Sequence, residues 1–576
     1  MPDVRGIDRV FDYLLADLPG PPVTVGTSVR VPLQGRRVAG WVVADDAEPP
    51  AGVRLLPVRA VRGIGPAPDV VELAGWAAWR WAGPLVAFLG TASPPRLVST
   101  LPPPGRPPGV PDPAPPASGP VAEALAAERS VVRLPPAAAR SEVVRAVAGC
   151  LRPGGSVLVV CPSTEDAERV AAVLEGDRIP VARLPEQWAE AAAGGRVVVG
   201  ARAAAWGPAP GLVAALVLDG HDQAHTEERA PTWNAWQVVA ERCARAGARC
   251  VVTSAVPTLE MLHWGRLVVY PRAEERAGWP PVEVVDLRTR DPRSGLLTED
   301  LARFLHRIGP EPGRPAVCVL NRRGRARLLA CTGCGELVRC HACEAAMVLP
   351  RGAEALSCPA CSATRPPLCT ACGSTRLALI RPGVTRLAEE LAALTGMPAA
   401  EISSDRSEGA EEAAIVVGTE AALHRVRRVA GVAFLELDQE LTSPRYRAGD
   451  AALALLARAA RLLGGRSRPL LLQTRLPDHE VVTAVVGADP GRWTAVEEPR
   501  RRALALPPYS ALALLSGPDA PAVAAGLAAA GLDAAPAGAR DDWLVRAPDH
   551  RVLCDALAGV RAGGADVRIE VDPVRA

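Results

Sequence analysis

The stretch that organises this chain is residues 331–372, CTGCGELVRCHACEAAMVLPRGAEALSCPACSATRPPLCTAC. Eight of the chain's 14 cysteines fall here as four C-x-x-C pairs, which are Cys331/Cys334, Cys340/Cys343, Cys358/Cys361 and Cys369/Cys372. A C-x-x-C turn places two thiolates on one side of a knuckle, and two knuckles form a tetrahedral four-sulfur site suited to Zn²⁺. The sequence therefore predicts two structural zinc ions, because four protein ligands leave no open position for water.

Spacing alone does not show which cysteine pairs share an ion. His341 could compete as a ligand, but with eight thiols present we interpret it as a bystander. A thiol–disulfide redox module is the metal-free alternative, and four knuckles without a thioredoxin-like setting disfavour it. We interpret the remaining cysteines as small buried hydrophobic residues: Cys150, Cys161, Cys243, Cys250, Cys318 and Cys554.

Short apolar strands alternate with amphipathic helices on both sides of the cysteine block. The strand-like segments lie at 131–134, 156–162, 196–201, 215–220 and 249–255 before it, and within 413–423, 431–438 and 469–474 after it. Fully apolar strands separated by helices are typical of parallel sheets covered on both faces. We therefore predict an α/β multidomain chain with two parallel-sheet lobes, the cysteine block being an insertion in the second lobe.

Composition shifts along the chain predict the domain boundaries. A Pro-rich segment is extended and semi-rigid, and it marks the end of a small β-rich domain. The predicted parts are the β-rich N-terminal domain 1–97, the Pro-rich linker 98–120, the first lobe 121–290, the second lobe 291–495 with its zinc insertion 331–373, and a small α/β C-terminal domain 496–576.

The charge of the chain is carried in an unusual way. All 65 basic residues are arginine, because the sequence contains no lysine, and the net charge is only +2. Any mechanism that requires an ε-ammonium group is therefore excluded. The run NRRGRARLL (321–329) places four arginines beside the cysteine block; guanidinium groups suit phosphate, which favours nucleic-acid contact over a merely solvated face. No apolar run is long enough to span a membrane and the first residues do not form a signal peptide, so we predict a cytoplasmic protein.

Several segments resemble the PriA-type primosomal replication-restart helicases, and the resemblance extends over nearly the whole chain. They are VFDYLL (10–15), RVVVGARAAAWGPAPGLVAALVLDGHD (196–222), LNRRGRARLLACTGCGELVRC (320–340), SPRYRAGD (443–450) and RRALALPPYS (501–510). The resemblance implies two RecA-like lobes, ATP and Mg²⁺ as cofactors of an active member, forked or branched DNA and other primosome proteins as partners, and a nucleoid-associated location. It also implies that the outer C-x-x-C pairs share one zinc ion and the inner pairs the other. The winged-helix domain of many members has no room in the Pro-rich linker.

Residues 1–97 resemble the family's domain that binds DNA 3′ ends. Phe11, Asp12 and Tyr13 match its Phe-Asp-Tyr motif. A carboxylate suits a free 3′-OH, because it accepts the hydroxyl proton and repels a terminal phosphate. Without the resemblance, an ordinary strand edge would be the preferred interpretation of these three residues.

The resemblance fails at the motifs that bind and hydrolyse ATP. In place of a Gly-rich phosphate loop the chain has VVRLPPAAARSEVV (131–144), with Arg140 at the lysine position and Ser141 at the threonine position. Asp219 could hold Mg²⁺, but Gly220 replaces the glutamate that polarises water. The final arginine motif becomes LLARAARLLGGR (455–466), with arginines at shifted positions. Because phosphoryl transfer depends on positioning and electrostatic stabilisation, we predict that hydrolysis is lost and that these residues are remnants.

Three functions remain open from the sequence. The favoured one is a replication-restart protein that recognises stalled or forked DNA and recruits replication machinery without helicase activity. A second is an active ATP-dependent 3′–5′ helicase that uses Arg140, Ser141 and Asp219. The third is a zinc-dependent protein-interaction scaffold on a relic helicase fold, which has no DNA role.

Overall fold

The computed structural model describes most of the chain. The described residues are 1–4, 6–15, 18, 22–45, 47–48, 54–105, 119–290, 295–320, 329–349, 355–359, 361, 363–379, 384–402, 409–537 and 542–574. Residues 321–328 of the arginine-rich run and 106–118 of the Pro-rich linker lie outside them. Within the described residues, no helix has the length and apolar character needed to cross a membrane.

The N-terminal domain is a small β structure followed by two helices. Its elements are β1 Tyr13–Leu14, β2 Ser28–Leu33, β3 Arg36–Trp41, β4 Leu56–Pro57, β5 Ala60–Gly63, α1 Pro68–Arg80 and α2 Leu85–Ala92. Strands β3, β2 and β5 form an antiparallel sheet in that order, and β1 pairs with β4 in parallel. Gln34 and Gly35 join β2 to β3 and both have positive φ, as a two-residue hairpin turn requires.

The first lobe is a seven-stranded sheet in the order β12-β6-β11-β10-β7-β9-β8, and every pairing is parallel. Strands such as Ser156–Val160 are buried at every residue, as expected of a sheet with both faces covered. The elements are α3 Pro120–Ala126, β6 Arg129–Arg133, α4 Arg140–Ala148, β7 Ser156–Val160, α5 Thr164–Gly176, β8 Val181–Arg183, α6 Trp188–Ala192, β9 Val197–Gly200, β10 Leu212–Val217, α7 Ala235–Ala246, β11 Arg249–Ser254, α8 Leu259–Trp264, β12 Arg266–Val269 and α9 Arg272–Ala277.

The second lobe is a six-stranded parallel sheet in the order β13-β22-β21-β14-β20-β19. Two short antiparallel ladders, β15-β18 and β16-β17, belong to the cysteine-rich insertion. The elements are β13 Val282–Asp286, α10 Glu299–Ile308, β14 Ala316–Leu320, β15 Leu329–Cys331, β16 Leu356–Ser357, β17 Thr364–Arg365, β18 Leu377–Leu379, α11 Val384–Thr395, β19 Ala399–Ile402, β20 Ile415–Gly418, α12 Glu420–Arg425, β21 Gly431–Glu436, α13 Asp438–Leu441, α14 Ala448–Leu463, β22 Leu470–Thr474, α15 Glu480–Val486 and α16 Gly491–Ala503.

The C-terminal domain is an antiparallel sheet in the order β24-β25-β23-β26 with two helices. Its elements are β23 Ala511–Ser516, α17 Ala520–Ala529, β24 Asp533–Pro536, β25 Trp543–Ala547, α18 His550–Ala562 and β26 Arg568–Val571. Its buried side chains join those of the N-terminal helices and of one face of the first lobe in a single apolar cluster.

The predicted fold class is confirmed: two parallel-sheet lobes, a cysteine-rich insertion and two small flanking domains make an α/β multidomain chain. The element boundaries differ in detail from the predicted domain limits. Strand β13 lies before residue 290 but pairs with β22, so it belongs to the second sheet. Helix α16 runs across residue 495, and strand β18 extends the insertion beyond residue 373.

Several helix ends follow from local sequence. Ser163 caps α5 by accepting a hydrogen bond from the backbone N–H of Asp166, and Thr298 caps α10 in the same way through Leu301. Gly464 ends α14 with a left-handed φ of 70°. These ends matter because the starts of α4 and α5 and the last turn of α14 carry the charged side chains between the lobes.

Candidate functional site

The eight cysteines of the insertion lie in two groups of four. The outer pairs form one group, Cys331, Cys334, Cys369 and Cys372, and the inner pairs form the other, Cys340, Cys343, Cys358 and Cys361. Within each group all four sulfur atoms lie within 4.8 Å of one another. This is the outer-with-outer, inner-with-inner arrangement that the family resemblance implies and that spacing alone left open.

The sulfur–sulfur distances fit a shared metal ion. The Sγ atoms of Cys331 and Cys372 are 3.6 Å apart, and those of Cys340 and Cys361 are 3.5 Å apart. Four sulfurs placed 2.3 Å from a central Zn²⁺ in a tetrahedron would be about 3.8 Å apart, whereas a disulfide requires about 2.05 Å. Each cluster could therefore hold one zinc ion, and neither is a pair of disulfides.

Each knuckle that the structure fully describes is built in the same way. The backbone N–H of Cys331, Cys340 and Cys369 donates to the carbonyl five residues later, and the N–H four residues later donates back to the cysteine carbonyl. The residue at that fourth position has a left-handed φ in all three: 75° at Gly335, 60° at Glu344 and 74° at Gly373. The shared backbone turn therefore places both sulfurs of a pair on the same side of the knuckle.

The second region lies between the two lobes, where the family's nucleotide motifs would meet. Arg140, the first residue of α4, forms an ion pair with Asp219, which follows β10. Arg461, in the last turn of α14, donates to the other carboxylate oxygen of Asp219 at 2.5 Å. Asp219 is therefore held from both sides, by one arginine of each lobe. Arg140 also contacts Asp166 at 3.0 Å, which extends the charged network.

The electrostatics of this carboxylate follow from its two cationic partners. Burial alone would raise the pKa of Asp219, but the guanidinium groups of Arg461 and Arg140 outweigh burial and lower that pKa to about 2. His225 is fully buried nearby, and burial lowers its pKa although its Nε2 lies 2.8 Å from the carbonyl oxygen of Leu218. At neutral pH the site therefore combines a charged aspartate with a neutral histidine.

The loop before α4 has few backbone donors left for a phosphate. Pro135 and Pro136 have no N–H group. The N–H of Ala137 donates to the carbonyl of Gly278 at 3.2 Å, and that of Ala138 donates to Pro135 at 2.9 Å. A phosphate-binding loop needs several free N–H groups that converge on the anion, and here the four positions that precede Ala139 supply none.

Position 220 has no room for a side chain. A Cβ atom there would lie 2.6 Å from Cγ1 of Val252 and 2.9 Å from Cε of Met261. Packing around Gly220 is thus closed at the position where the resemblance expects glutamate. Val252 of β11 and Met261 of α8 pack directly against Gly220, so the surroundings of this position fit glycine and not a larger residue.

The remaining space between the lobes is small. Arg458 of α14 contacts Asp222 at 3.2 Å, and the cleft lined by both residues and by Asp219 has a volume of about 50 Å³. Ligand pockets typically enclose roughly 300–1,000 Å³. The hydroxyl of Ser141 makes no hydrogen bond with any described residue. Sequence reasoning located Arg140 and Asp219. It placed the arginines of 455–466 at shifted positions without giving Arg458 or Arg461 a partner, and their i, i+3 spacing puts both on one face of α14.

A third region, the N-terminal pocket, is open. It has a volume of about 410 Å³, and Phe11, Asp12 and Tyr13 all line it, as do Val29 and Val31 of the sheet. The Tyr13 hydroxyl donates to the carbonyl of Pro32 at 3.0 Å. Asp12 is exposed, and its carboxylate contacts no other described side chain or backbone donor. The structure thus brings the three motif residues to one cavity that combines an apolar lining with a free carboxylate.

Glycine at position 40 is required beside this pocket. A Cβ there would lie 2.6 Å from the carbonyl oxygen of Met1 and 3.2 Å from Cα of Pro2. The backbone N–H of Asp3 donates to the Ala39 carbonyl at 2.8 Å and that of Trp41 donates to the Met1 carbonyl at 2.9 Å, so the first residues of the chain run alongside β3. This close approach forms one wall of the pocket.

Comparison with known proteins identifies relatives that are similar in sequence to this chain. A family model described as the PriA 3′ DNA-binding domain matches residues 2–94. The probable replication restart protein PriA of Mycobacterium tuberculosis is 29% identical, with 90% of this chain and 86% of that protein covered. PriA of Bacillus subtilis is 27% identical, but the match covers 56% of this chain and only 43% of the relative. The chain thus spans less than half of some relatives that it matches.

Two parallel-sheet lobes and an insertion with two four-cysteine clusters define an α/β multidomain protein, and each cluster could hold a zinc ion. Among solved structures, a DEAD box protein from Methanococcus jannaschii is similar at 10% identity and a TM-score of 0.31, with 67% of this chain and 88% of that chain covered. By the domain match and the curated relatives, the chain is similar to the PriA-type replication restart proteins.

Proposed function

We propose that this protein recognises forked DNA with a 3′ end at the branch and recruits replication proteins there, without hydrolysing ATP. The observation that carries the proposal is the ion-pair network Arg140–Asp219–Arg461, which occupies the position where an active relative would bind nucleotide and Mg²⁺. The proposed site of action is the cytoplasm, at the nucleoid.

The chemistry of phosphoryl transfer argues against a motor. Hydrolysis needs phosphates cradled by N–H groups, a free carboxylate for Mg²⁺ and a positioned water. Here Asp219 is neutralised by two guanidinium groups, Ala137 and Ala138 have committed their N–H groups, and Gly220 has no carboxylate. No lysine exists in the chain to replace the missing phosphate contact. Binding of nucleotide would require both ion pairs to break.

The N-terminal pocket supports recognition of a DNA 3′ end. Its volume of about 410 Å³ would hold a nucleoside, and apolar side chains such as Val29 and Val31 suit a nucleobase. The exposed carboxylate of Asp12 would accept a hydrogen bond from a 3′-OH and repel a 3′-phosphate. Phe11, Asp12 and Tyr13 are therefore the proposed 3′-end-binding residues.

The cysteine clusters support a structural role for zinc. With four sulfur ligands each, both proposed sites are closed to water and would stabilise an insertion whose apolar core is small. Changing Cys340 to Ser should lower the zinc content from two ions per chain to about one, measured by atomic absorption on the purified protein. Cys318→Ser, which changes a buried cysteine of β14 outside the clusters, is the control and should keep both ions.

The decisive experiment measures fork binding and ATP turnover in the same preparation. Zinc-loaded protein should bind a fork with a 3′-OH about tenfold more tightly than one with a 3′-phosphate, since a hydrogen bond to a charged group contributes roughly 1.5–3 kcal/mol. Asp12→Asn should remove most of this preference. Asp3→Asn, which changes another exposed acid of the same domain, should keep it.

ATP turnover should not exceed that of a protein-free control, with or without the fork. Fork-stimulated hydrolysis that disappears in Asp219→Ala would overturn the proposal and identify an unconventional helicase. Binding that ignores both forks and 3′ ends would instead favour a zinc-dependent interaction scaffold.

A further inference from the structure

The N-terminal sheet has a second charged feature that the 3′-end pocket does not use. The β2–β3 hairpin carries Arg30, Arg36 and Arg37, and all three side chains are exposed. In the register of the hairpin, Arg30 lies opposite Ala39 and Arg37 lies opposite Pro32. Paired residues of an antiparallel ladder share one face, so Arg30 and Arg37 lie diagonally on the same side. We call these three residues the hairpin arginines.

Arg30 and Arg37 lie on the face of the sheet opposite the pocket, and Arg36 lies at the tip of the hairpin, directly after the turn. Val29 and Val31 alternate with Arg30 along β2, and both valines line the pocket. Arg30 and Arg37 therefore face outward. At the far end of this outer face, Trp41 donates from Nε1 to the Ser93 hydroxyl at 2.8 Å, so α2 covers that end. At the hairpin end of the face, Arg30 and Arg37 are exposed.

Charge is strongly segregated on this hairpin and its neighbours. Residues 28–41 and 54–63 contain six arginines and no aspartate or glutamate, in a chain whose total of 65 basic and 63 acidic residues is nearly balanced. Among the described residues, none of the hairpin arginines forms an ion pair with a carboxylate. Like charges on adjacent strands destabilise a sheet. An external polyanion would relieve that repulsion, and no internal partner among the described residues does.

We propose that the hairpin arginines bind the phosphate backbone of the duplex arm next to the captured 3′ end. This inference rests on the proposed function, since it assumes that DNA reaches the pocket. The hairpin turn, Gln34–Gly35, is a tight two-residue turn and holds the arginines on a rigid support. Adjacent strands are about 4.8 Å apart and phosphates of one DNA strand rise about 3.4 Å each along the axis. The hairpin arginines can therefore reach two or three consecutive phosphates.

Duplex DNA fits this surface better than an acidic protein segment because the two sites share strand β2. The pocket lies on one face of the sheet, and Arg30 and Arg37 lie on the opposite face. A terminal nucleotide bound in the pocket would place its backbone near the edge of that sheet. The base-paired part of the same arm would then continue past the hairpin, whose outer face carries Arg30 and Arg37. A guanidinium group binds phosphate without regard to sequence, which suits a protein that must act at any fork.

The test compares the salt dependence of fork binding. The triple variant Arg30→Gln, Arg36→Gln and Arg37→Gln should flatten the slope of log K against log salt concentration by two to three, because each lost phosphate contact removes about 0.9. Affinity at moderate salt should fall at least tenfold, whereas the ratio of affinities for 3′-OH and 3′-phosphate forks should not change. Circular dichroism checks that the variant is folded.

A matched control removes the same charge elsewhere. Arg152, Arg178 and Arg249 are exposed on the first lobe and form no ion pair with described residues. Their triple change to Gln should leave the salt slope within about half a unit of the wild-type slope. If the hairpin variant kept the wild-type slope while the wild type still preferred a 3′-OH, the inference would be overturned and the proposed function would stand. If the wild type bound no fork, both would fail.

Discussion

The N-terminal pocket and the cleft between the lobes each contain an aspartate, Asp12 and Asp219, and the surroundings of the two carboxylates differ. The pocket encloses about 410 Å³ and leaves the Asp12 carboxylate free of described partners. The cleft encloses about 50 Å³, and its Asp219 is bound by two arginines. The Asp12 carboxylate is therefore exposed to solvent, whereas the Asp219 carboxylate is neutralised by Arg140 and Arg461.

The cleft is held together by charged groups of both lobes. Arg140 and Arg461 meet at the Asp219 carboxylate, so both arginines have an electrostatic partner within the protein. Further contacts join the lobes, including Arg447 with Glu260 at 2.7 Å and the fully buried Arg501 with the same carboxylate at 3.2 Å. These ion pairs connect the two lobes through protein groups alone.

The largest effect is expected from breaking the network in the cleft. Asp219→Ala would leave Arg140 and Arg461 without their shared counter-ion and should lower the free energy of unfolding by about 3 kcal/mol. Urea denaturation measures it. Asp177→Ala breaks an exposed pair with Arg145 in the same lobe and should cost no more than about 1 kcal/mol. Equal effects of the two changes would mean that the cleft pairs are ordinary surface pairs.

A second prediction concerns position 220 in the cleft, where the family resemblance expects glutamate. Gly220→Glu should lower the free energy of unfolding by about 2 kcal/mol, because its Cβ would collide with Val252 and Met261. It should not create ATP turnover, measured by phosphate release. Gly75→Ala, at an open position within α1, should be neutral or stabilise by up to about 1 kcal/mol. Turnover gained by Gly220→Glu would show that the cleft had kept its capacity to bind ATP.

The smallest effect concerns pH. Burial lowers the pKa of His225, so the unfolded state binds a proton near pH 6.5 that the folded state refuses. Its contribution to stability is therefore present above pH 6.5 and lost as the pH falls toward 5. His225→Gln keeps a donor for the Leu218 carbonyl, and its unfolding free energy should fall less steeply between pH 7.5 and 5 than that of the wild type. A steeper fall in the variant would mean that His225 is protonated in the fold.

Sequence reasoning reached the fold and the cysteines of the two clusters because both have local signatures. The C-x-x-C spacing identified all eight cysteines, and apolar strands such as Ser156–Val160 indicated parallel sheets. Strand β13 was placed with the wrong lobe because a parallel strand has no short-range signal of its sheet partner, and its pairing with β22 joins residues far apart in the sequence.

The interior of the cleft could be predicted only in part. The motif pattern located Arg140 and Asp219, but Arg461 pairs with Asp219 across 242 residues, and such a partner depends on how the lobes meet. Similarly, Phe11, Asp12 and Tyr13 were identified through a family resemblance. Their spacing alone is that of any strand edge, and the cavity they line forms only when β2 and β3 fold over them.

The contact between Arg80 and Asp572 lies outside both the pocket and the cleft, and it bears on the order in which the chain folds during synthesis. Arg80, at the end of α1, is buried and donates to Asp572 at 2.6 Å across 492 residues, and the Cys554 thiol donates to the carbonyl of Arg80. At 5–20 residues per second, a ribosome needs roughly 25–100 s to supply that aspartate. Until then Arg80 lacks this counter-ion, so the contact between α1 and the C-terminal domain forms only after residue 572 has been made.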